Sequence, residues 1–202
     1  GLQAIATARR LGAIVSATDV RPAAKEQVMS LGASFVMVES EETKAAETAG
    51  GYAKEMSAEY QRKQAELVAA HIKTQDIVIT TALIPGRAAP RLLTDEMVKS
   101  MRPGSVIVDL AVEYGGNCAL SVAGGVKHVG GVAIIGHRNV PGRVPTDASA
   151  LYARNLMHFL DVLLAKDKKA LAIDWTDEII RGTCLTRDGA IVHPSFQAGG
   201  KK

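Results

Sequence analysis

The chain of 202 residues is 47% hydrophobic, which is enough for one large domain, or one domain and a portion of another, with a substantial core. Its 24 Lys and Arg residues against 21 Asp and Glu give a net charge of only +3 without a long basic segment, which excludes nucleic acid as an expected partner. The longest apolar stretches, residues 106–112 and 156–165, are short and contain Asp or His, so the sequence predicts a soluble chain without a membrane span.

Short runs rich in Val, Ile and Ala alternate with helical patterns along the chain. The candidate strands are residues 13–18, 34–38, 76–81, 105–111 and 132–136. Because these runs are almost continuously apolar, we expect a parallel sheet covered on both faces, since a sheet with one wet face would alternate apolar and polar residues. The sequence therefore predicts an α/β fold with a doubly wound, Rossmann-type parallel sheet.

Several residues suit the ends of the predicted helices. Pro22 can open a helix because the first turn does not use its missing N–H, and Ser57 and Thr94 are suited to cap two others. The pair at residues 31–32, Leu-Gly, predicts the end of the helix that begins at Pro22.

The segment over residues 39–54 is polar, acidic and glycine-bearing. It is longer than the usual connection between a strand and the next helix. Segments of this kind are usually lids or disordered, so the sequence predicts one of those two roles.

The C-terminal quarter begins with a predicted helix over about residues 147–165. Its apolar residues recur on one side, a pattern typical of a helix that packs on a sheet or crosses between domains; they are Leu156, Phe159, Leu160 and Leu163. The following residues predict a short strand, a short helix, a turn at residues 187–189 and a polar, glycine-containing end typical of a linker.

The first 19 residues fit the back half of a dinucleotide-binding unit. Such a unit has a strand, a glycine-rich turn, a helix and a second strand, which ends in an acid that binds the adenosine ribose. Here a helix over residues 2–11 and a strand over 13–18 lead to Asp19, and Gly1 takes the place of the last glycine of G-x-G-x-x-G. The first strand and two glycines would then precede Gly1. The alternative is an ordinary strand that happens to end in Asp.

An acid at Asp19 favours NAD over NADP, because a carboxylate that binds a ribose 2′-OH repels a 2′-phosphate. Arg21 complicates this expectation, since an arginine near the same strand end can accept that phosphate.

A second clue follows the third candidate strand, which runs into Thr80, Thr81, Ala82 and Leu83. Ligands of doubly wound sheets bind at the carboxyl ends of the strands, and small residues there let a ribose or nicotinamide approach the backbone. The alternative is a strand followed by a plain surface turn.

No catalytic group or metal site is evident from the residues alone. A dehydrogenase that oxidises an alcohol or amine needs a base, for which His137 and Asp109 are the candidates, although a lone residue of either type is more often structural. Cys118 and Cys184 lie far apart without a Cys-x-x-Cys pattern, which indicates ordinary thiols in a reducing compartment and argues against zinc.

Five longer segments carry a resemblance to a known family. Together they resemble the NAD(H)-binding domain of proton-translocating NAD(P)+ transhydrogenase, in a family that includes alanine dehydrogenase, and the resemblance extends over residues 1–193. The segments are VSATDVRPAAKEQVMSLGA, AAETAGGYAKEM, DIVITTALIPGRAAP, GSVIVDLAVEYGGNC and GHRNVPGRVPTDASALYARN.

The resemblance implies a set of cofactor-binding residues. Asp19, Val20 and Arg21 match the adenosine-ribose segment of the family, with Asp19 on the ribose hydroxyls. Further positions that contact NAD in the family are Gly51, Gln64 and Leu83, and those that fall in its mobile loop are Tyr52 and Met56.

The resemblance also implies a division of the chain. Residues 1–146 would be the NAD(H)-binding domain without its first strand and glycine turn, residues 147–193 a crossing helix and a portion of a companion domain, and residues 194–202 a linker. The upstream half of that companion domain, with an Arg-Gln-Asp loop beside the nicotinamide, is not in these residues, so the catalytic residues stay unassigned.

In the family, hydride passes directly from NADH to NADP+ on a separate domain, so no substrate proton is removed and neither His137 nor Asp109 is needed as a base. The implied partners are NADP(H)-binding and membrane-spanning components and a second copy of the chain, at the cytoplasmic face of the inner membrane. Two other hypotheses stay open: a soluble alanine-dehydrogenase-like oxidoreductase, and a nucleotide-binding module without activity of its own.

Overall fold

The computed structural model describes residues 1–19, 21–38, 40, 57–84, 86–165, 167 and 169–197. The chain divides into two compact units, Gly1–Val140 and Pro141–Lys202. The division at residues 146 and 193 that the sequence predicts stays a prediction.

The first unit alternates helices with short strands, as the sequence predicts for an α/β fold. In chain order the elements are α1 (Leu2–Arg10), β1 (Ser16–Ala17), α2 (Pro22–Ser30), β2 (Ser34–Phe35), α3 (Ala58–Ile72), β3 (Ile77–Thr80), α4 (Asp95–Lys99), β4 (Val106–Asp109), β5 (Val126–Val129) and β6 (Val132–Ile135). The strands that match predicted runs lie inside them but are shorter by one to four residues, because their ends turn away from the ladder before the apolar run is complete.

The strands form two sheet segments. β1 and β2 pair in parallel, and a second segment has the order β3-β4-β6-β5, in which β3, β4 and β6 are parallel. Within the described residues, β1 pairs only with β2, and β3 pairs only with β4.

One strand departs from the predicted set. β5 pairs antiparallel with β6 through a hairpin at residues 130–131, where both glycines have positive φ, 58° and 82°. Two residues in the left-handed region fit the tight turn that joins antiparallel strands. The sheet is therefore parallel with an antiparallel edge.

The predicted helix boundaries are confirmed. Pro22 stands in the first turn of α2, and Gly32 follows the end of that helix with a φ of 79°. The hydroxyl of Ser57 accepts a hydrogen bond from the amide of Tyr60 at the start of α3, and the hydroxyl of Thr94 accepts one from Met97 at the start of α4.

A hydrophobic cluster joins α3 and α4 to one face of the larger sheet segment. Its buried members are Ile72, Leu93, Met97, Val98, Met101, Ile107, Cys118, Val132 and Ile134. The opposite face differs from the sequence prediction of cover on both sides, since Ile77 and Ile79 are 66% and 43% exposed among the described residues. A smaller cluster of Ile5, Val28 and Ala33 packs α1 and α2 against β1 and β2.

The second unit contains α5 (Pro145–Leu163), α6 (Glu178–Thr183), β7 (Thr186–Arg187) and β8 (Ala190–Ile191). The carboxylate of Asp177 caps α6, and the turn at residues 188–189 joins β7 to β8 as predicted. The apolar side of α5 stays exposed, with Leu156 and Leu160 about half accessible. Among the described residues, no helix is both long and apolar enough to cross a membrane.

Candidate functional site

The candidate site is built at the carboxyl ends of β1 and β3, which we call the strand-end edge: residues 18–21 after β1 and residues 81–83 after β3. Four of the predicted cofactor-binding residues, Asp19, Arg21, Ala82 and Leu83, lie on this edge. Parallel strands bring their carboxyl ends to one side of a sheet, which is why residues distant in sequence meet there.

Asp19 is held by Arg21 at three points. The backbone N–H of Arg21 donates to Oδ1 of Asp19 at 2.9 Å, Nε donates to the same oxygen at 3.1 Å, and Nη2 donates to Oδ2 at 2.8 Å. The side chain of Asp19 is 28% exposed and that of Arg21 is 42% exposed, so solvent reaches both. The carboxylate therefore has a fixed orientation and remains accessible to a polar ligand.

Gly1 lies beside the end of β3, although 80 positions separate it from Thr81. A Cβ built on Gly1 would stand 3.4 Å from Oγ1 of Thr81, which is ordinary van der Waals contact. Gly1 precedes α1, whose first amides have no side-chain cap. Uncapped N–H groups at a helix start favour an anion.

Gln64 connects the ends of β1 and β2 from helix α3. Its Nε2 donates to Oγ1 of Thr18 at 2.9 Å, and its Oε1 accepts from the backbone N–H of Val38 at 2.9 Å. The resemblance implies a contact with NAD at this position. In the structure the amide is engaged with the two strand ends, so it holds them together.

Asn117 fixes the backbone of Ala82. Its Oδ1 accepts from the N–H of Ala82 at 3.0 Å, and its Nδ2 donates to the carbonyl of Ala82 at 2.9 Å and to that of Pro90 at 2.8 Å. Asn117 is fully buried. The sequence indicates Asn117 only as a polar residue after a strand, because its partners are backbone groups that no spacing rule connects to it.

Asp109 is enclosed in the same region, where it accepts five hydrogen bonds. Its carboxylate receives the hydroxyls of Thr80 and Ser121 and three backbone N–H groups, those of residues 111, 117 and 118. Burial alone would raise the pKa of Asp109, but the hydrogen bonds outweigh it and lower the pKa below its ordinary value. A carboxylate so engaged is structural, and the candidate base is corrected accordingly.

His137, the other candidate base, follows β6. Its Nδ1 is buried and has no hydrogen-bond partner among the described residues. A general base of the His type is oriented by a group that holds its second ring nitrogen. Within the part of the chain that the structure describes, no side chain orients the ring through Nδ1, so the geometry gives no such arrangement.

Four predicted site residues lie outside the described residues: Val20, Gly51, Tyr52 and Met56. Among the described residues, no cluster of three or more His, Cys, Asp or Glu side chains could hold a metal ion.

Comparisons with known proteins place these features in a family context. The family model described as "Alanine dehydrogenase/PNT, C-terminal domain" matches residues 1–194. The chain is 60% identical over 200 residues to an NAD(P) transhydrogenase subunit alpha of Rhodospirillum rubrum, a match that covers 99% of this chain and 52% of that protein. The chain thus spans about half the length of this relative.

Two solved structures are similar to the chain. The transhydrogenase from Sinorhizobium meliloti superimposes with a TM-score of 0.74 at 60% identity, over 95% of this chain and 49% of that one. An L-alanine dehydrogenase superimposes with a TM-score of 0.55 at 26% identity, over 71% of this chain and 35% of that one.

Proposed function

The chain belongs to the alanine dehydrogenase/PNT family, and we propose that it is the NAD(H)-binding portion of the alpha subunit of a proton-translocating NAD(P) transhydrogenase. In this role it would hold NAD(H) while hydride passes directly to or from NADP(H) on a partner domain. The relative from Rhodospirillum rubrum, which carries the transhydrogenase name at 60% identity, supports this choice within the family.

The observation that carries the proposal is the meeting of three features on the strand-end edge. Asp19 ends β1, the uncapped start of α1 lies at Gly1, and Gly1 contacts Thr81 at the end of β3. A dinucleotide needs this set: a carboxylate for the ribose hydroxyls, free amides for the pyrophosphate, and a small residue where the chain passes close. The donor set fits NAD(H).

The residues of the chain would bind and orient the cofactor without moving a proton. Bound NAD(H) supplies the carbon that gives or accepts hydride. Asp19 would hold the ribose diol, and the backbone at Ala82, fixed by Asn117, would present a rigid wall to the bound dinucleotide. A transfer between two nicotinamides needs no base, which agrees with the engagement of Asp109 in five hydrogen bonds. Catalysis then depends on position and on exclusion of water.

The proposal extends to structures beyond these residues. The predicted loop at Tyr52 and Met56 would close over the nucleotide, and α5 would cross toward a companion domain, which its exposed apolar side supports. NADP(H)-binding and membrane-spanning components, a second copy of the chain and a position at the cytoplasmic face of the inner membrane complete the proposal.

An assay of the full-length polypeptide tests the function. Purified with its NADP(H)-binding partner, it should reduce an NADP analogue at the expense of NADH, and it should not do so when the partner is left out. Failure to transfer hydride with a correctly loaded partner contradicts the proposal.

The alternative is an alanine-dehydrogenase-like enzyme, which the similarity to an L-alanine dehydrogenase keeps in view. It predicts NADH oxidation by the full-length polypeptide alone when pyruvate and ammonia are added. That result would replace the proposed function, whereas its absence, together with partner-dependent transfer, would support it.

A further inference from the structure

Arg21 engages both oxygens of the carboxylate that is proposed to bind the ribose. Three donors of one residue, its N–H, Nε and Nη2, reach Asp19 within 3.1 Å. A guanidinium fork on a carboxylate fixes direction as well as charge. Arg21 therefore sets how Asp19 is presented at the strand-end edge.

The local sequence builds this clamp. The residue before a proline is confined to extended backbone, and Arg21, which precedes Pro22, has φ −84° and ψ 128°. This conformation fits the hydrogen bond from its N–H to the side chain two residues earlier, the pattern of an Asx turn. The sequence Asp-x-Arg-Pro thus orients the pair without a ligand.

The pair also decides the charge that the second ribose position meets. With Asp19 ionised, a 2′-phosphate would approach a carboxylate whose arginine is already committed to it. With the carboxylate neutralised, the same phosphate would meet a guanidinium at the start of α2, where the helix dipole also favours an anion.

Given the proposed NAD(H) site, on which this role rests, we infer that Arg21 is a positioning and specificity-determining residue. It holds Asp19 toward a ribose diol, and when the carboxylate is neutralised it becomes the ligand of a 2′-phosphate. Preference for NAD(H) over NADP(H) is therefore a property of the ion pair and not of Asp19 alone.

The test measures the binding of NADH and NADPH to the full-length polypeptide by calorimetry, in the wild type, D19N, R21Q and D19N/R21Q. D19N keeps an oxygen that can accept from the N–H of Arg21, so the turn is retained. We expect D19N to bind NADPH about tenfold or more tightly than the wild type, the scale of one charge-assisted contact. We expect D19N/R21Q to lose that gain, and R21Q to bind NADH several-fold more weakly, on the order of one oriented hydrogen bond.

A matched control lies at the opposite end of the sheet. Asp76 and Arg102 are an exposed pair 3.9 Å apart at the amino ends of β3 and β4, so D76N and R102Q should leave both affinities unchanged. The NADPH gain of D19N should shrink at high salt, since it depends on an exposed charge pair.

Two results would separate the inference from the proposed function. Equal NADPH binding by D19N and D19N/R21Q, with normal NADH binding by the wild type, overturns the role of Arg21 alone. A wild-type polypeptide that binds no NADH overturns the proposed function and this inference with it.

Discussion

Among single residues, two carboxylates near the strand-end edge have opposite environments. Asp19 is 28% exposed and held by one flexible arginine, whereas Asp109 is almost fully buried and held by five donors. An accessible carboxylate can exchange a protein partner for a ligand, but a buried one with all its lone pairs engaged cannot. The difference assigns binding to Asp19 and support to Asp109.

Gly116 belongs to this support. Its φ is 80°, and a Cβ at this position would lie 2.7 Å from Oδ2 of Asp109. Only glycine permits both this backbone conformation and the close approach of the carboxylate. The turn after β4 is thus closed around Asp109, which lets three backbone amides of the turn reach one side chain.

Replacement of Asp109 should destabilise the protein and flatten its response to acid. D109N puts an amide N–H₂ where the carboxylate now accepts N–H and hydroxyl donors, so we expect a loss of about 2–4 kcal/mol in the free energy of unfolding at pH 7. Urea unfolding of the full-length polypeptide measures it.

The acid response follows from the lowered pKa of Asp109. A carboxylate with a lower pKa in the folded state contributes stability that is complete above the unfolded-state pKa, about 4, and is lost as the pH falls through the folded-state pKa. D109N should lack this component of the acid-induced loss. An unchanged stability difference between wild type and D109N from pH 7 to pH 2 would contradict the assignment.

Among the elements, short helices depend on their first turns. α4 has only five residues, and Thr94 satisfies one of its unpaired amides while Met97 and Val98 bury its inner side. A helix of this length gains little from propensity, so its cap and its packing decide whether it forms. α4 in turn packs in the hydrophobic cluster on one face of the larger sheet segment.

Removal of this cap should cost about 1 kcal/mol, because T94A leaves the N–H of Met97 without its hydroxyl acceptor. The matched control is T7A, which replaces an exposed threonine inside α1 by a better helix former and should change stability by only a few tenths of a kcal/mol. Chemical unfolding of both variants checks the comparison, and equal effects would show that Thr94 has no capping role.

In the molecule as a whole, the two sheet segments leave room for a strand between β1 and β3. The carbonyls of Asp76 and Thr80 accept from Val106 and Leu110 of the β4 side, so the amides of Ile77 and Ile79 face the other way. In a doubly wound order the strand that enters α1 lies between these two edges. We expect that strand to be supplied by residues that precede Gly1 in the full-length polypeptide.

Hydrogen exchange on the full-length polypeptide tests this arrangement. We expect the amides of Ser16, Ile77 and Ile79 to be protected to the extent of those in the central strand β4, because a parallel neighbour would accept from them. Strand β5, at the other edge of its sheet, provides an exposed-edge reference. Exchange of Ile77 and Ile79 as fast as that of an unpaired edge would rule out the intervening strand.

Local patterns were sufficient for much of the fold. Apolar runs located β3, β4 and β6, and helix-end chemistry located the starts at Pro22 and Thr94, because these features depend on neighbours within a few residues. The antiparallel strand β5 was missed although Gly130–Gly131 is a hairpin signal, since its four residues are half polar and mostly exposed.

Residue type and spacing along the chain were enough to predict the α/β class, the family resemblance and Asp19 as the acid at the end of a strand. The roles of the polar residues became evident only in the folded chain. Folding paired Asp19 with Arg21, placed Gly1 against Thr81, and made Asp109 and Asn117 supports of the neighbouring turns. Such roles depend on partners that are distant in sequence, many of them backbone groups that every residue carries and that therefore have no sequence signature.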